Sequence, residues 1–466
     1  MHSNFVNQSG CRFRILNGDV MEIEQGAGKI AKCLKLMLSD KPGHLASVMA
    51  AIASKNASVG DIHLLRVGRT HNTREIVVYV DSDHQFEEVV EAIANLEGII
   101  IEDEIDLVHQ VHEGGKIATK SQVRIETITD VRQIYTPGVA AICKDIERYP
   151  ELAYKYTSIP NQVAIVTNGT AILGLGDIGA VAGMPVMEGK AVLFDYLVGV
   201  SGVPILIQNR DPKVIIDTVR NIAPTFGAIK LEDIKAPECF EIEDVLDAEL
   251  DIPVMHDDQH GTAVVVLAAL LNATRFSGLM LKKSVVGVVG LGAAGMGISK
   301  LLLSYGVKNV IGTDLDDTAC DRLSAAGGAV GSLDEVMKKA HIVIATTGCP
   351  GLIKPEMVRK GSVVLALSNP NPEITPDLAL QAGASFAADG KSVNNALAFP
   401  GLFRGALNVR ATRINNKMKI AAALSIARHA EENELVPSLL HPDVHKDVTA
   451  AVERAALESG VIKHWD

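Results

Sequence analysis

From Cys33 to about Gln110 apolar and polar positions alternate in a pattern that predicts six elements in a fixed order. Leu34-Lys35-Leu36-Met37-Leu38 reads as a strand, and Asp40-Lys41-Pro42-Gly43 as the turn that ends it. Leu45, Val48, Met49 and Ile52 then recur at i, i+3, i+4 and i+7, which is one face of a helix. Ile62 to Val67 and Ile76 to Val80 read as two strands joined by a polar turn. Phe86, Val89, Val90 and Ile93 form a second helical stripe, and Ile99-Ile100-Ile101 opens a last strand. The order is βαββαβ, which predicts a two-layer unit with both helices on one sheet face. Ahead of it, residues 1–32 carry little pattern and are expected to form a partly ordered leader.

The unit over residues 33–112 resembles an ACT domain, whose Asp-x-Pro-Gly turn matches Asp40-Lys41-Pro42-Gly43. That resemblance implies a small effector, often an amino acid, held by backbone donors near Pro42 to Leu45 and by Gly60. A module that only helps subunits pair would show the same pattern.

Beyond it the pattern changes to short apolar runs that end in polar clusters, as buried parallel strands do. Val163 to Val166 precedes Thr167-Asn168-Gly169, and Pro204 to Ile207 precedes Asn209-Arg210-Asp211. Gly227 to Leu231 precedes Glu232-Asp233, and Ile252 to Met255 precedes His256-Asp257-Asp258. A third block opens near Thr262 with an apolar run to Leu271 that reads as a linking helix. Strands follow at Val285–Val289, Val307–Gly312, His341–Ala345 and Ser362–Leu367. The expected class is therefore α/β, with a substrate domain over 113–261, a dinucleotide domain over 262–430 and a helical tail over 431–466.

Composition narrows the function. The chain has 466 residues, 47% of them hydrophobic and 21% charged, which excludes a disordered or fibrous protein. A formal net charge of -12 argues against non-specific binding to nucleic acid or to anionic membranes. No apolar stretch approaches the roughly 18 residues that a bilayer span needs. The six cysteines, from Cys11 to Cys349, form no CxxC pair and fit reduced thiols in the cytoplasm.

Gly290-Leu291-Gly292-Ala293-Ala294-Gly295 follows the strand Val285–Val289 and opens a helix. Gly290 permits the tight turn, Gly292 lets backbone approach a pyrophosphate, and Gly295 lets helix pack on strand. The helix start, with Ala293 and Ala294, presents free N–H groups to the phosphates. Asp314 ends the next strand, where its carboxylate can accept from ribose hydroxyls and repel a 2′-phosphate, so NAD is expected rather than NADP. The carboxylates Glu232, Asp233, Asp257 and Asp258 close two separate strands. Grouped anions call for a cation between them, and hard oxygen donors suit Mg²⁺ or Mn²⁺. The alternative is a set of solvated loop acids, with Asp258 capping the helix near Gly261. Tyr135, before the turn Thr136-Pro137-Gly138, and Lys190, opening the apolar stretch from Ala191 to Phe194, read alone as ordinary surface groups.

Taken together, Tyr135-Thr136-Pro137-Gly138, Leu173-Gly174-Leu175-Gly176-Asp177, Gly189-Lys190, Leu231-Glu232-Asp233, Asp257-Asp258-Gln259-His260-Gly261-Thr262, Leu367-Ser368-Asn369-Pro370 and Asn394 to Gly401 resemble the malic enzyme family, in its shorter bacterial form. The resemblance covers roughly residues 115–430 and implies oxidative decarboxylation of (S)-malate to pyruvate with reduction of NAD. It implies Lys190 as the base for the 2-hydroxyl, Tyr135 as the acid toward the enolate, and Glu232, Asp233 and Asp258 as metal ligands. Asp257 would orient the lysine or the metal shell, and Asn369 and Asn395 would bind substrate carboxylate or nicotinamide. Ala171 stands where larger members carry a clamping arginine, and Asp195 where a more basic residue is expected. The family and the ACT-like unit both imply a homodimer or larger homo-oligomer. A malolactic reaction, an amino-acid dehydrogenase suggested by the dinucleotide loop alone, and a catalytically silent ligand sensor are the competing readings.

Overall fold

The computed structural model describes residues 29–172, 174–432 and 434–463. The expected leader up to Gly28, Cys11 within it, Leu173 of its motif, and Asn433 and the last three residues of the tail lie outside the described residues. The chain divides between Gly115 and Lys116 into two units.

In the first unit the strands are β1 (Ile30–Ser39), β2 (Ser58–Val67), β3 (His71–Val80) and β4 (Ile99–Asp106). All pair antiparallel in the order β2-β3-β1-β4, with helices His44–Ser54 and Asp83–Ala94 between them. This is the βαββαβ arrangement that the alternation predicts. Leu34, Leu36 and Leu38 point the same way because side chains alternate along a strand. They share one core with Val48 and Ile52 of the first helix and Phe86, Val89 and Ile93 of the second. Gly43 holds φ 96°, a left-handed conformation that only glycine adopts readily, and it starts the first helix directly after the Pro42 turn.

The second unit holds two parallel sheets. β5 (Gln162–Thr167), β6 (Ser201–Leu206), β7 (Ala228–Leu231) and β8 (Val254–His256) lie in the order β6-β5-β7-β8. β9 (Val285–Val289), β10 (Asn309–Thr313), β11 (Ala329–Val330), β12 (Ile342–Ala345), β13 (Val363–Ala366) and β14 (Phe386–Asp389) lie in the order β11-β10-β9-β12-β13-β14. With β9 as first strand, that is the 3-2-1-4-5-6 order of a doubly wound dinucleotide fold, whose ligand crevice opens where the order reverses, between β9 and β12.

The helix Asp257–Phe276 connects the two sheets. Its residues Ala263 to Leu270 are all fully or almost fully buried, as a helix that is apolar on every side requires. The apolar run alone places its start near Thr262; the helix in fact begins at Asp257. Two aspartates in a first turn complement the positive end of the helix dipole, so the acidic pair extends the helix rather than ending a loop before it. Lys190 likewise does not open an apolar element but sits inside the helix Met184–Val198.

Candidate active site

The site grows from the carboxyl ends of β7 and β8. Every residue of β7 is buried, including Lys230, whose side chain is fully excluded from the surface. Burial pulls the Lys230 pKa down to about 8, with Asp257 opposing that fall. Its Nζ contacts Glu232 and lies 2.9 Å from Asp257 Oδ2. Lys190 reaches the same group from its own helix: Nζ is 2.9 Å from Asp257 Oδ2, 3.0 Å from Glu232 Oε1 and 3.1 Å from Asn395 Oδ1. Asn395 also donates from Nδ2 to Asp257 Oδ2 at 2.9 Å. Both ammonium groups stand over the Phe399 ring, 4.9 and 4.6 Å from its centroid, where the ring's negative face favours them. Burial works against the Asp257 anion, yet Lys190 and Lys230 hold its pKa below the ordinary carboxylate value. Gly261, one turn along the helix, makes this possible: a Cβ there would lie 2.0 Å from Asp257 Oδ1.

Beside the lysines lie the three expected metal ligands. One oxygen each from Glu232, Asp233 and Asp258 falls within 4.8 Å of the others. Asp233 holds φ 52°, an unusual backbone for a residue other than glycine. That conformation aims its N–H at Asp258 Oδ2, 2.9 Å away, while its carbonyl accepts from Ala171 at 3.1 Å. Asp258 is therefore no helix cap; the cap position belongs to His256, whose Nε2 stands 3.3 Å from Asp258 Oδ2. Ala171, without a guanidinium, contributes backbone only.

Two observations bear on a cation. Asp233 Oδ2 is buried without a hydrogen-bond partner, and burial, then the Asp258 charge, pushes the Asp233 carboxyl up to about 7. Four carboxylates also face only two ammonium groups across the cluster, an excess of anion that a dication would neutralise. The donor set is all oxygen, so the residues fit Mg²⁺ or Mn²⁺.

A further layer escaped the sequence reading. Glu243, almost fully buried, accepts from the His256 backbone at 2.7 Å, Gln259 Nε2 at 2.8 Å and His260 Nε2 at 3.0 Å, and so fixes the first turn of the Asp257–Phe276 helix. Lys230 was missed too, although a lysine inside an otherwise apolar strand is itself a signal. Tyr135 is not among these groups. It ends the helix Ile128–Ile134 and is 69% exposed.

The glycine loop forms a second locus. Gly290 has φ 90°, and its N–H donates to the Thr313 carbonyl. A Cβ on Gly295 would lie 1.9 Å from the Gly290 carbonyl oxygen, so the helix Ala293–Tyr305 packs on its strand only with glycine there. Asp314 directly follows β10 and receives the Leu291 N–H at 2.6 Å, which places its carboxylate on the loop. Asn369 is exposed just past β13, at the same carboxyl end of the sheet, whereas the Asn395 amide is engaged with Lys190 and Asp257.

This geometry has close relatives. Residues 114–214 match the malic enzyme N-terminal domain, and residues 387–459 the malic enzyme NAD-binding domain. Residues 264–382 match the NAD-binding domain of S-adenosyl-L-homocysteine hydrolase, another chain with a dinucleotide fold. NAD-dependent malic enzyme 1 of Bacillus subtilis is 53% identical over 92% of this chain and 99% of its own length. The NAD-dependent malic enzyme of Geobacillus stearothermophilus is 42% identical over 89% of this chain and 92% of its own. Among solved structures, the malic enzyme of Pyrococcus horikoshii superposes with a TM-score of 0.72 at 42% identity, covering 76% of this chain and 89% of its own. The NAD-dependent malic enzyme of Thermotoga maritima gives 0.70 at 38%, covering 75% and 99%. The chain belongs to the malic enzyme family.

Proposed function

We propose that the protein converts (S)-malate to pyruvate and CO₂ while reducing NAD. The observation that carries this reading is Lys190, held by Asp257, Asn395 and Glu232 beside a three-carboxylate cluster. Lys190 Nζ, in its neutral amine form, is placed to take the proton of the malate 2-hydroxyl as hydride leaves C2 for the nicotinamide. Asp257 and Asn395 hold that amine in one direction, so little orientation is lost in reaching the transition state. Glu232, Asp233 and Asp258 would hold a dication, which when bound would supply Lewis-acid polarisation of the substrate oxygens. The Tyr135 phenol returns a proton to C3 of the enolate, giving pyruvate. Gly290, Gly292, Ala293, Ala294 and Gly295 seat the pyrophosphate, Asp314 takes the ribose hydroxyls, and Asn369 faces the nicotinamide end or the substrate carboxylate.

Steady-state turnover with malate, NAD and Mn²⁺ tests the reading, with NADH and pyruvate expected in equal amounts. A malolactic reaction would yield lactate and release no NADH; one relative, the bifunctional malic/malolactic enzyme of Bacillus subtilis, makes that arm worth running. The partition into 113–261, 262–430 and 431–466 belongs to the same reading, as do cytoplasmic placement and self-association. Among the described residues no helix is long and apolar enough to cross a membrane. The βαββαβ unit is assigned to a small effector. Support comes from the left-handed Gly43 at a helix start, directly after the Pro42 turn. Malate turnover in the presence of each amino acid in turn would reveal it.

A further inference from the structure

Past the carboxyl ends of β12 and β13 a carboxylate is buried that none of the chemistry above uses. Glu373 has no exposed surface. Its Oε1 accepts from the Thr347 N–H at 2.7 Å, the Thr347 hydroxyl at 2.9 Å and the Ser368 hydroxyl at 2.5 Å. Its Oε2 accepts from the Ser368 N–H at 3.3 Å, and its backbone carbonyl from the Ile353 N–H at 3.1 Å. The Ser368 hydroxyl in turn accepts from the Gly348 N–H at 2.8 Å. Taking a carboxylate out of water is costly unless donors replace the water. Here the donors come from the ends of two separate strands, so Glu373 ties the loop after β12 to the loop after β13.

Both loops continue into the functional parts. Thr346 donates from Oγ1 to the Gly290 carbonyl at 3.1 Å, so the first loop bears on the glycine turn. Asn369, next to Ser368, is pressed between two other backbones. A Cβ on Gly390 would stand 2.8 Å from Asn369 Nδ2, and a Cβ on Gly174 would stand 2.6 Å from the Asn369 carbonyl oxygen. Gly174 belongs to the loop that follows β5 of the first sheet. Glu373 therefore sits where the dinucleotide crevice meets the other half of the unit.

We propose that Glu373 is a positioning residue for hydride transfer: through Thr347 and Ser368 it fixes the nicotinamide end of the crevice against the substrate. It acts through those loops and not by touching the reacting atoms. A carboxylate suits the place because it only accepts, whereas an amide would turn an N–H₂ group toward donors. The inference rests on the NAD-dependent oxidation of malate proposed above.

The test compares the full-length wild type with Glu373→Gln, using malate and malate carrying deuterium at C2. A misplaced nicotinamide slows hydride transfer itself, so kcat should fall about 10–100-fold while KM for malate stays at its wild-type value. The deuterium isotope effect on kcat should exceed that of the wild type, because hydride transfer then limits turnover. NADH binding, followed by fluorescence and set by the glycine loop and Asp314, should be unchanged. A Glu373 that only supports the fold would lower the urea midpoint and leave kcat per folded site and the isotope effect as in the wild type; that result overturns the assignment. A fall in kcat with no rise in the isotope effect overturns it as well. Should Glu373→Gln not fold, Thr347→Val removes one donor and keeps the carboxylate. Its kcat should fall less, with the isotope effect again raised, and an unchanged isotope effect there would refute the role. A wild type that forms no NADH from malate would instead remove the underlying reaction, and this inference with it.

Discussion

Lys190 and Lys230 converge on a single oxygen, Asp257 Oδ2, each at 2.9 Å. Two cations can share one atom only where the anion is held rigidly and further carboxylates lie close; Glu232 is that second anion. Replacing Asp257 by Asn keeps the shape and removes the charge that both ammonium groups need. Breaking a buried ion pair from one side costs about 3–5 kcal/mol. Urea unfolding of Asp257→Asn should show a loss near the lower figure, because Glu232 remains. An unchanged midpoint would mean that the lysines do not depend on this carboxylate.

Lys190→Ala should lower malate-dependent NADH formation by about 10²–10⁴-fold, the usual contribution of a positioned proton acceptor. The glycine loop is untouched by this change, so NAD affinity measured by fluorescence should stay at its wild-type value. Turnover close to wild type would refute the base assignment.

Asp233→Asn removes a carboxylate whose buried oxygen has no protein partner. Mn²⁺ affinity, followed by calorimetry without substrate, should fall by at least the roughly tenfold seen when even outer-shell partners of a metal are lost. Chelator should abolish turnover of the wild type, and Mn²⁺ should restore it.

Stability should fall in acid because of Glu243. Burial alone would raise its pKa, but His260 beside it, with the Lys419 and His256 charges, brings it down to about 2. A carboxyl lowered from its ordinary 4.5 stabilises the fold at pH values above 4.5, and that contribution is lost as pH falls toward 2. Its size is about 3 kcal/mol at most. His260 acts in the same direction: burial lowers its pKa, so charging it below its unfolded value near 6.5 also costs the folded state. Urea midpoints should therefore drop between about pH 4.5 and pH 2, and over that range the drop should be shallower in Glu243→Gln. Parallel curves for the two proteins would assign the acid sensitivity elsewhere.

Asp314→Ala should narrow the preference for NAD over NADP and weaken NAD binding by about tenfold, roughly 1.4 kcal/mol. Two effects combine, since the carboxylate that would repel a 2′-phosphate also holds the Leu291 N–H of the loop. Comparison of kcat/KM for the two cofactors decides it. A wild type that works better with NADP would sink the charge argument.

Much of this architecture was written locally. The alternation through Leu34, Leu36 and Leu38 and the stripe from Leu45 to Ile52 specify strand and helix because side-chain period follows directly from backbone geometry. The loop Gly290 to Gly295 is nearly as local: Gly295 is demanded by the Gly290 carbonyl and Gly290 by its φ of 90° and the neighbouring strand, while a Cβ on Gly292 would meet nothing within 4 Å. Glu232, Asp233 and Asp258 could be paired from sequence because both stretches end parallel strands on one sheet rim, and the fold brings them within 4.8 Å. Local pattern could not say that Asp257 begins a helix, because the buried run from Ala263 hides where the first turn starts.

Only the tertiary structure decided which charges touch. Lys230 reads as one polar letter in β7, and its meaning appears when burial removes water and leaves Asp257 and Glu232 as its partners. Glu243, 14 residues before Asp257, becomes a keystone because folding brings it under the helix start. Asn395 comes from the far end of the chain to hold Lys190. Period and turn chemistry act over a few residues and can be read in order. Electrostatic partnership depends on distance and on the exclusion of solvent, and neither exists until the chain has folded.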